Sequence, residues 1–205
     1  MAGLSHHDRA YFDHWYRGAG LGLGDAEYVA RKARYALAAT EYLLEREVAT
    51  VLDVGCGEAP WRSVLRRLRP GLRYVGVDPS DYVVRRYGRR RSIVAGALST
   101  LDDLDLREHD GGRGFDLVVC ADVLGVVPDA DARAGVAAIG RRTAGVAFVE
   151  VLTADDGVVG DLESFRPRPP ATYERWFRRA GLRRVGPHLY APDGVRARLA
   201  VFERG

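Results

Sequence analysis

The sequence contains few cysteines and no long apolar run. Only two of its 205 residues are cysteine, Cys56 and Cys120, which provides neither a disulfide framework nor the ligand spacing of a zinc site. No stretch comes near the roughly 20 apolar residues that a membrane-spanning helix needs. Residues 1–16 also lack the apolar core of a secretion signal. We therefore expect a reduced, cytoplasmic protein with no metal site and no membrane contact.

Lysine is almost absent as well. Lys32 is the only lysine among 31 basic residues, and the others are arginines. Many of these arginines stand in pairs or triplets, as they do in proteins that bind nucleic acids. The formal net charge is nevertheless only +3 and no long basic stretch occurs, so solvated helix faces are the favoured interpretation. Nucleic acid stays an alternative partner, and the sequence leaves the oligomeric state open.

Short apolar runs alternate with helical patterns along most of the chain. The runs that predict strands are Thr50–Val54, Arg73–Asp78, Ser92–Ala95, Phe115–Cys120 and Val146–Leu152. Such alternation predicts a parallel sheet with helices on both of its faces. One of the connecting helices is expected to begin at Asp81 and to end at Gly88, because glycine commonly terminates helices.

The last third of the chain has a different pattern. Two more strands are predicted, Leu182–Tyr190 and Val195–Glu203, with a turn signal at residues 191–194 between them. The sheet should therefore have seven strands and end in an antiparallel hairpin. Before the hairpin, Thr153–Pro170 is predicted to form a long loop, and long loops in compact domains are usually functional.

A glycine-containing loop follows the first predicted strand directly. Gly55 and Gly57 let the backbone approach a ligand closely, because no Cβ intervenes. Asp78 ends the second strand, where a carboxylate can accept hydrogen bonds from both ribose hydroxyls of a nucleoside. Both features fall at the carboxyl ends of strands, where open α/β sheets bind ligands. A dinucleotide-binding loop fits less well, since Pro60 occupies the place of its third glycine.

With these motifs the chain resembles the class I S-adenosylmethionine-dependent methyltransferases. The resemblance extends from about Arg31 to Glu203, and Val51–Gly57 and Tyr74–Ser80 are its most specific segments. It implies a Rossmann-like fold with a mostly parallel seven-stranded sheet, formed by a single domain over residues 25–205. It also implies S-adenosylmethionine as the cofactor and methyl transfer as the reaction.

The resemblance assigns most of the site residues. Those expected to bind the cofactor are Arg31, Asp53, Gly55, Cys56, Gly57, Asp78, Pro79, Leu98 and Ala121. Within this set, Asp78 is expected to hold the ribose and Leu98 to pack on the adenine ring. Arg31 is expected to pair with the methionine carboxylate, with Arg34 as the alternative. The acid that usually faces the adenine amino group is missing from the Gly96–Leu98 segment.

Asp122 is the candidate catalytic residue, because it follows the fourth strand on the side of the pocket. It can bind the methionine amino group, orient a substrate or act as a base, and a structural cap is the alternative. Many relatives have a histidine where this chain has Gly125, so a base at that position is absent. The chain also lacks the Asn/Asp-Pro-Pro-aromatic motif of DNA methyltransferases. We therefore expect direct in-line transfer to a nitrogen or oxygen of a small molecule; an RNA or protein methyltransferase and a non-catalytic S-adenosylmethionine-binding protein are the alternatives.

The N-terminal segment, residues 1–24, combines aromatic residues with glycines. Tyr11, Trp15 and Tyr16 precede four glycines, which could act as hinges. The sequence therefore predicts a lid over the methyl donor, with the Thr153–Pro170 loop helping to form the acceptor pocket. A frayed terminus is the alternative.

Overall fold

The computed structural model describes residues 8–9, 11–13, 26–157 and 164–204. Its strands are β1 (Thr50–Val54), β2 (Arg73–Asp78), β3 (Ile93–Ala95), β4 (Phe115–Ala121), β5 (Thr143–Glu150), β6 (Leu182–Gly186) and β7 (Leu189–Pro192). Its helices are α1 (Ala26–Leu44), α2 (Pro60–Leu68), α3 (Asp81–Arg91), α4 (Arg107–Asp110), α5 (Asp129–Arg142), α6 (Pro170–Arg179) and α7 (Asp193–Arg196), with 3-10 turns at Leu98–Asp103 and Val201–Arg204. No helix within these ranges has both the length and the apolar composition needed to cross a membrane.

The strands form one sheet in the order β3-β2-β1-β4-β5-β7-β6. Strands β1 to β5 are parallel, whereas β7 is antiparallel to both β5 and β6. The predicted fold class is therefore confirmed. The chain runs outward from β1 in one direction and from β4 in the other, so a crevice opens where the carboxyl ends of these two neighbouring strands meet.

The hydrophobic core lies on both faces of the sheet, since successive strand residues point to opposite faces. Val51 belongs to the cluster under α1, α2 and α3, whereas the next residue, Leu52, belongs to the cluster under α5 and α6. The predicted core aromatics of α6, Tyr173 and Trp176, are both buried in the second cluster. Helices cover both faces, and the carboxyl edge of the sheet is the place where a ligand can enter.

The hairpin forms earlier in the chain than the sequence predicts. The single strand predicted at Leu182–Tyr190 is in fact β6, a turn and the start of β7. The chain reverses at Pro187, which has no backbone N–H for a strand ladder, and at His188, whose φ is +56°. Asp193 then begins α7 directly after β7, so the predicted turn at 191–194 and the predicted strand Val195–Glu203 are both wrong.

Helix α3 also passes the residue at which it was expected to end. Gly88 lies inside the helix, which continues to Arg91 and is closed by Ser92 at φ +56°. A Cβ at Gly88 would lie 3.1 Å from the carbonyl oxygen of Ile93. The glycine therefore permits close packing of α3 against β3 and does not terminate the helix.

Candidate active site

The carboxyl ends of β1, β2 and β4 open into one pocket of about 1220 Å³, counting the part that is open to solvent. Nine of the ten predicted site residues line it, namely Asp53, Gly55, Cys56, Gly57, Asp78, Pro79, Leu98, Ala121 and Asp122. Further lining residues that the sequence did not indicate include Tyr28, Lys32, Trp61 and Val123. The pocket joins residues from several separate segments because the parallel strands end at the same edge.

Two glycines shape the loop between β1 and α2. Gly55 and Gly57 have φ values of +70° and +52°, in the left-handed region that glycine adopts without strain. The N–H groups of Gly55 and Cys56 both donate to the carbonyl of Val77, at 2.8 and 3.2 Å. A Cβ at Gly55 would lie 2.3 Å from Cγ2 of Val123. Glycine is thus required at position 55 both by its backbone conformation and by the close approach of the segment after β4.

Asp78 is fixed by the backbone at the end of β2. Its carboxylate accepts hydrogen bonds from the N–H of Gly57 at 2.8 Å and from the N–H of Ser80 at 2.9 Å. The residue is buried, with 5% of its surface exposed. A carboxylate can accept several hydrogen bonds at once, so these two bonds orient Asp78 and are compatible with further bonds to a ligand in the pocket.

Asp53 is a second buried carboxylate on the floor of the pocket. The hydroxyl of Tyr74 donates to its Oδ2 at 2.6 Å. Burial raises the pKa of Asp53 to about 7, and the charge of Asp78 acts in the same direction, whereas the Tyr74 bond opposes the rise. Burial and these carboxylates also raise the pKa of the Cys56 thiol, which keeps it protonated and unreactive.

The raised pKa of Asp53 predicts that ionising this residue destabilises the ligand-free fold. Between about pH 4 and pH 7 the folded state holds its proton more tightly than the unfolded chain does, so the free energy of unfolding falls as pH rises through this window. Asp53→Asn removes this effect. The free energy of unfolding of the variant minus that of wild type should therefore increase by about 2–3 kcal/mol from pH 5 to pH 8. Denaturant unfolding at several pH values measures this difference. A difference that is constant across this range would contradict the assignment.

The expectation for Arg31 requires a correction. Arg31 and Arg34 are exposed on α1 and do not line the pocket, whereas Lys32 does. Each residue turns the helix by about 100°, and Lys32 lies between Val29 and Ala36 at spacings of three and four residues. Both of these neighbours are buried, so Lys32 shares their inward face and Arg31 does not.

Lys32 is held among an aromatic ring and two carboxylates. Its ammonium group donates to Oε2 of Glu150, lies 3.9 Å from the centre of the Tyr28 ring and stands 3.8 Å from Oδ2 of Asp122. The Tyr28 hydroxyl donates to the other oxygen of Glu150 at 3.4 Å. Burial lowers the pKa of Lys32, but the two carboxylates outweigh burial and leave it raised. Lys32 therefore stays charged.

Asp122 follows β4 and has a φ of +60°, which is uncommon for a residue with a side chain and occurs often at functional sites. Its side chain is 43% exposed, compared with 10% for Glu150. Burial by the surrounding walls raises the pKa of Asp122, and so does Glu150, whereas Lys32 and His188 lower it. Asp122 is thus the carboxylate that this end of the pocket presents to a ligand.

The Thr153–Pro170 loop supports the pocket from outside. None of its described residues, 153–157 and 164–170, lines the pocket. Residues 158–163 lie outside the described residues, so the expectation that this loop helps to form the acceptor pocket stays a prediction. A Cβ at Gly125 would lie 3.3 Å from the ring of Phe165, so the glycine leaves room for this loop. The guanidinium of Arg168 donates to the carbonyls of Leu124 and Val127 and thereby fixes the segment after β4.

The N-terminal segment is described only in part. Tyr11 and Phe12 line the pocket, and Phe12 is buried and packs against Tyr82, with ring centres 5.7 Å apart. Trp15 and Tyr16 lie outside the described residues. Across the described ranges, no three histidine, cysteine or acidic side chains are grouped so that they could hold a metal ion.

Solved structures share this fold at low sequence identity. The structure of DesVI from Streptomyces venezuelae superposes with a TM-score of 0.64 and 18% identity, over 90% of this chain and 98% of the other. The magnesium protoporphyrin IX methyltransferase ChlM from Synechocystis PCC 6803, with bound SAH, superposes with a TM-score of 0.60 and 17% identity, over 89% and 90% of the two chains. A SAM-dependent methyltransferase from Archaeoglobus fulgidus gives 0.62 and 16%, over 86% and 75%.

Sequence comparison identifies the family. No curated protein matches the chain closely enough to count as a relative. A family model described as a methyltransferase domain matches residues 26–190, from the start of α1 into β7. These residues include all of the strands that surround the pocket. The chain therefore belongs to this methyltransferase domain family, and it is an S-adenosylmethionine-dependent enzyme of class I.

Proposed function

We propose that this enzyme transfers the methyl group of S-adenosylmethionine to a nitrogen or oxygen atom of a small molecule. The observation that carries this proposal is the lining of the pocket. Among the described residues, Lys32 is the only basic side chain in that lining, although the chain has 31 basic residues. A site that follows a nucleic-acid backbone would present several arginines. One structural neighbour is named for a small acceptor, magnesium protoporphyrin IX.

The order of the strands suggests which residues contact each part of the cofactor. Ala97, Leu98 and Ser99 follow β3 and line the pocket on one side, where we assign the adenine. Asp78 follows β2 and is assigned to the ribose. The glycine loop after β1 is assigned to the methionine portion, with Lys32 in the role expected of Arg31. An ammonium has three donors, so Lys32 can keep its bond to Glu150 and bind a carboxylate as well.

The acceptor is assigned to the remaining end of the pocket. Asp122 stands there after β4, and Tyr28 provides aromatic surface nearby, since the ammonium of Lys32 lies 3.9 Å from the centre of its ring and 3.8 Å from Asp122. The bound cofactor supplies a methyl group on a positively charged sulfur. The protein has to hold the acceptor in line with that group and to keep water away, and alignment alone can supply a large part of the acceleration. Because the cofactor supplies an activated methyl group and the protein aligns the acceptor, the reaction does not require a histidine base at position 125.

Two measurements test the proposed function. Calorimetry should show S-adenosylmethionine and its demethylated product binding with dissociation constants in the micromolar range, about −8 kcal/mol. Methyl-labelled S-adenosylmethionine should then transfer its label to the small-molecule fraction of a cell extract. Label that enters only the RNA fraction or the protein fraction would overturn the small-molecule assignment, and folded protein without cofactor binding would overturn the whole proposal.

The assignment of the adenine to the surface of Leu98 predicts that Gly135→Ala will weaken cofactor binding, because it adds a methyl group on the side of Leu98 that faces away from the pocket. A Cβ at Gly135 in α5 would lie 2.1 Å from Cγ of Leu98, so Gly135→Ala must push Leu98 toward the pocket. We expect about tenfold weaker binding of S-adenosylmethionine by calorimetry, together with about 1–3 kcal/mol of overpacking strain. Gly194→Ala is the matched control, because its Cβ would meet nothing within 4 Å. Equal affinities of the two variants would place the adenine elsewhere.

A further inference from the structure

The pocket that the family assigns to the cofactor is strongly acidic. Among the described residues, four carboxyl groups line it, from Asp53, Asp78, Asp122 and Asp131, against the single ammonium of Lys32. The pKa of Asp53 is about 7, so this group is only partly ionised at neutral pH. The surplus is local, because the chain as a whole has a formal net charge of +3. The arginines of the described residues thus lie outside the pocket lining, and that lining is negative.

The bound cofactor leaves much of this negative charge uncompensated. Its sulfonium and ammonium groups carry two positive charges and its carboxylate carries one negative charge, so it adds one positive charge in all. Lys32 is already paired with Glu150, with both side chains about nine-tenths buried. Concave sites attract ligands of opposite charge and repel those of like charge. Carboxylate and phosphate acceptors are therefore disfavoured, and a cationic acceptor is favoured.

Of the two described carboxylates beside Lys32, Asp122 is the one that a ligand can reach. Glu150 accepts bonds from Lys32 and from Tyr28 and does not line the pocket. Asp122 lines it, is 43% exposed and takes no hydrogen bond from Lys32, whose ammonium stays 3.8 Å away. Asp122, with its left-handed backbone, lies directly after the carboxyl end of β4, and its side chain lines the pocket. Besides Lys32 and Glu150, the nearby ionisable groups are His188 of the turn between β6 and β7 and the buried thiol of Cys120.

We infer that the methyl acceptor is an amine, which enters the pocket as an ammonium cation and is bound by Asp122. This inference rests on the proposed function and names its substrate class. Asp122 attracts the cation, orients its nitrogen and accepts the proton that the nitrogen must lose before it can react. Asp122 is then a catalytic residue, whereas Lys32 and Glu150 are positioning residues that fix the charge beside it.

The atoms balance without any further reactant. The ammonium gives one proton to the carboxylate of Asp122, which frees the electron pair on nitrogen. The nitrogen forms a bond to the methyl carbon while the bond from that carbon to sulfur breaks, and the electrons of the broken bond stay on sulfur. The products are the methylated ammonium and the neutral thioether S-adenosylhomocysteine, and Asp122 passes its proton to water.

The first test separates acceptors by charge. The metabolites of cells that carry this chain are divided by ion exchange into cationic, neutral and anionic fractions, and each is incubated with enzyme and methyl-labelled S-adenosylmethionine. We expect at least tenfold more label in the cationic fraction than in either of the others. Label mainly in the neutral or anionic fraction overturns the amine inference alone. Label only in macromolecules, or in no fraction, overturns the proposed function together with it.

The second test addresses Asp122 with the labelled amine as substrate. Asp122→Asn keeps the shape of the side chain, and asparagine tolerates the left-handed backbone. We expect kcat/KM at neutral pH to fall by about 10- to 100-fold and to recover at higher pH, where the amine loses its proton to solvent. Affinity for S-adenosylmethionine should change by less than about twofold.

The matched control is Asp155→Asn, which removes the same charge from an exposed loop residue outside the pocket. It should leave both the rate and its pH profile as in wild type. An unchanged pH profile in Asp122→Asn overturns the role of Asp122 as proton acceptor. A parallel loss of cofactor affinity also overturns it, because Asp122 would then bind the cofactor and not the acceptor.

Discussion

Asp78→Asn is expected to weaken the binding of S-adenosylmethionine by roughly 10- to 100-fold, the equivalent of about 1.5–3 kcal/mol. The substitution replaces one carboxylate oxygen by an NH2 group. Both oxygens of Asp78 accept from backbone N–H groups, those of Gly57 and Ser80, so the new amide must turn a donor toward a donor on one side. The loop after β1 then loses a contact that orients it, and the ribose loses a charged acceptor.

Calorimetry with S-adenosylmethionine and with S-adenosylhomocysteine measures this effect. The matched control is Asp81→Asn, three residues further on at the start of α3, where the side chain is 86% exposed and stands near Arg85. This control removes the same charge and should bind both ligands as wild type does. If Asp78→Asn is folded and binds like Asp81→Asn, the nucleoside is not held at the end of β2.

The sheet and the glycine loop could be predicted because local chemistry determines them. Strands buried on both faces are continuous apolar runs, as in Thr50–Val54 and Phe115–Ala121, and glycines or prolines interrupt the chain between them. The hairpin could not be located in the same way. Leu182–Gly186 and Leu189–Pro192 are short, and the first carries two arginines, so the turn at Pro187 was hidden inside a longer strand-like pattern.

The site was predicted less completely than the fold, because its residues also depend on packing between distant segments. The family pattern identified Asp53, Gly57 and Asp78, because these residues lie within its two most specific segments, Val51–Gly57 and Tyr74–Ser80. The sequence did contain a signal for the inward position of Lys32, since it lies three residues after Val29 and four before Ala36, on the apolar side of α1. Its pairing with Glu150, 118 residues away, had none.

Arg168 is the clearest case of a residue that the sequence does not reveal. It lies in a proline-rich stretch that predicts an exposed loop, yet only 3% of its surface is exposed. Its guanidinium donates to the carbonyls of Leu124 and Val127, and to the carboxylate of Asp129 at 2.9 Å. It also donates to the hydroxyl of Tyr173 at 3.1 Å. The burial follows from the segment after β4, because Leu124 and Val127 lie outside the strands and helices and their carbonyls need a donor from elsewhere.

Arg168→Met is therefore expected to destabilise the fold by about 3–5 kcal/mol, because the buried carbonyl of Leu124 and the part-buried carbonyl of Val127 lose their donor while a similar volume is filled. For a chain of this size that corresponds to a fall in melting temperature of roughly 6–20 °C, which thermal unfolding followed by circular dichroism measures. Cofactor affinity should fall as well, since the released segment carries Val123, Val126 and Val127, all of which line the pocket.

The matched control for this prediction is Arg166→Met, two residues earlier in the same loop. The side chain of Arg166 is exposed, and its fixed contact is through the backbone, whose N–H donates to the carbonyl of Gly125 at 2.8 Å. That bond survives the substitution, so stability and cofactor affinity should both stay close to wild type. If Arg168→Met unfolds at the same temperature as this control, the carbonyls of Leu124 and Val127 have found other partners. If it loses stability but keeps its affinity, Arg168 supports the fold without shaping the pocket.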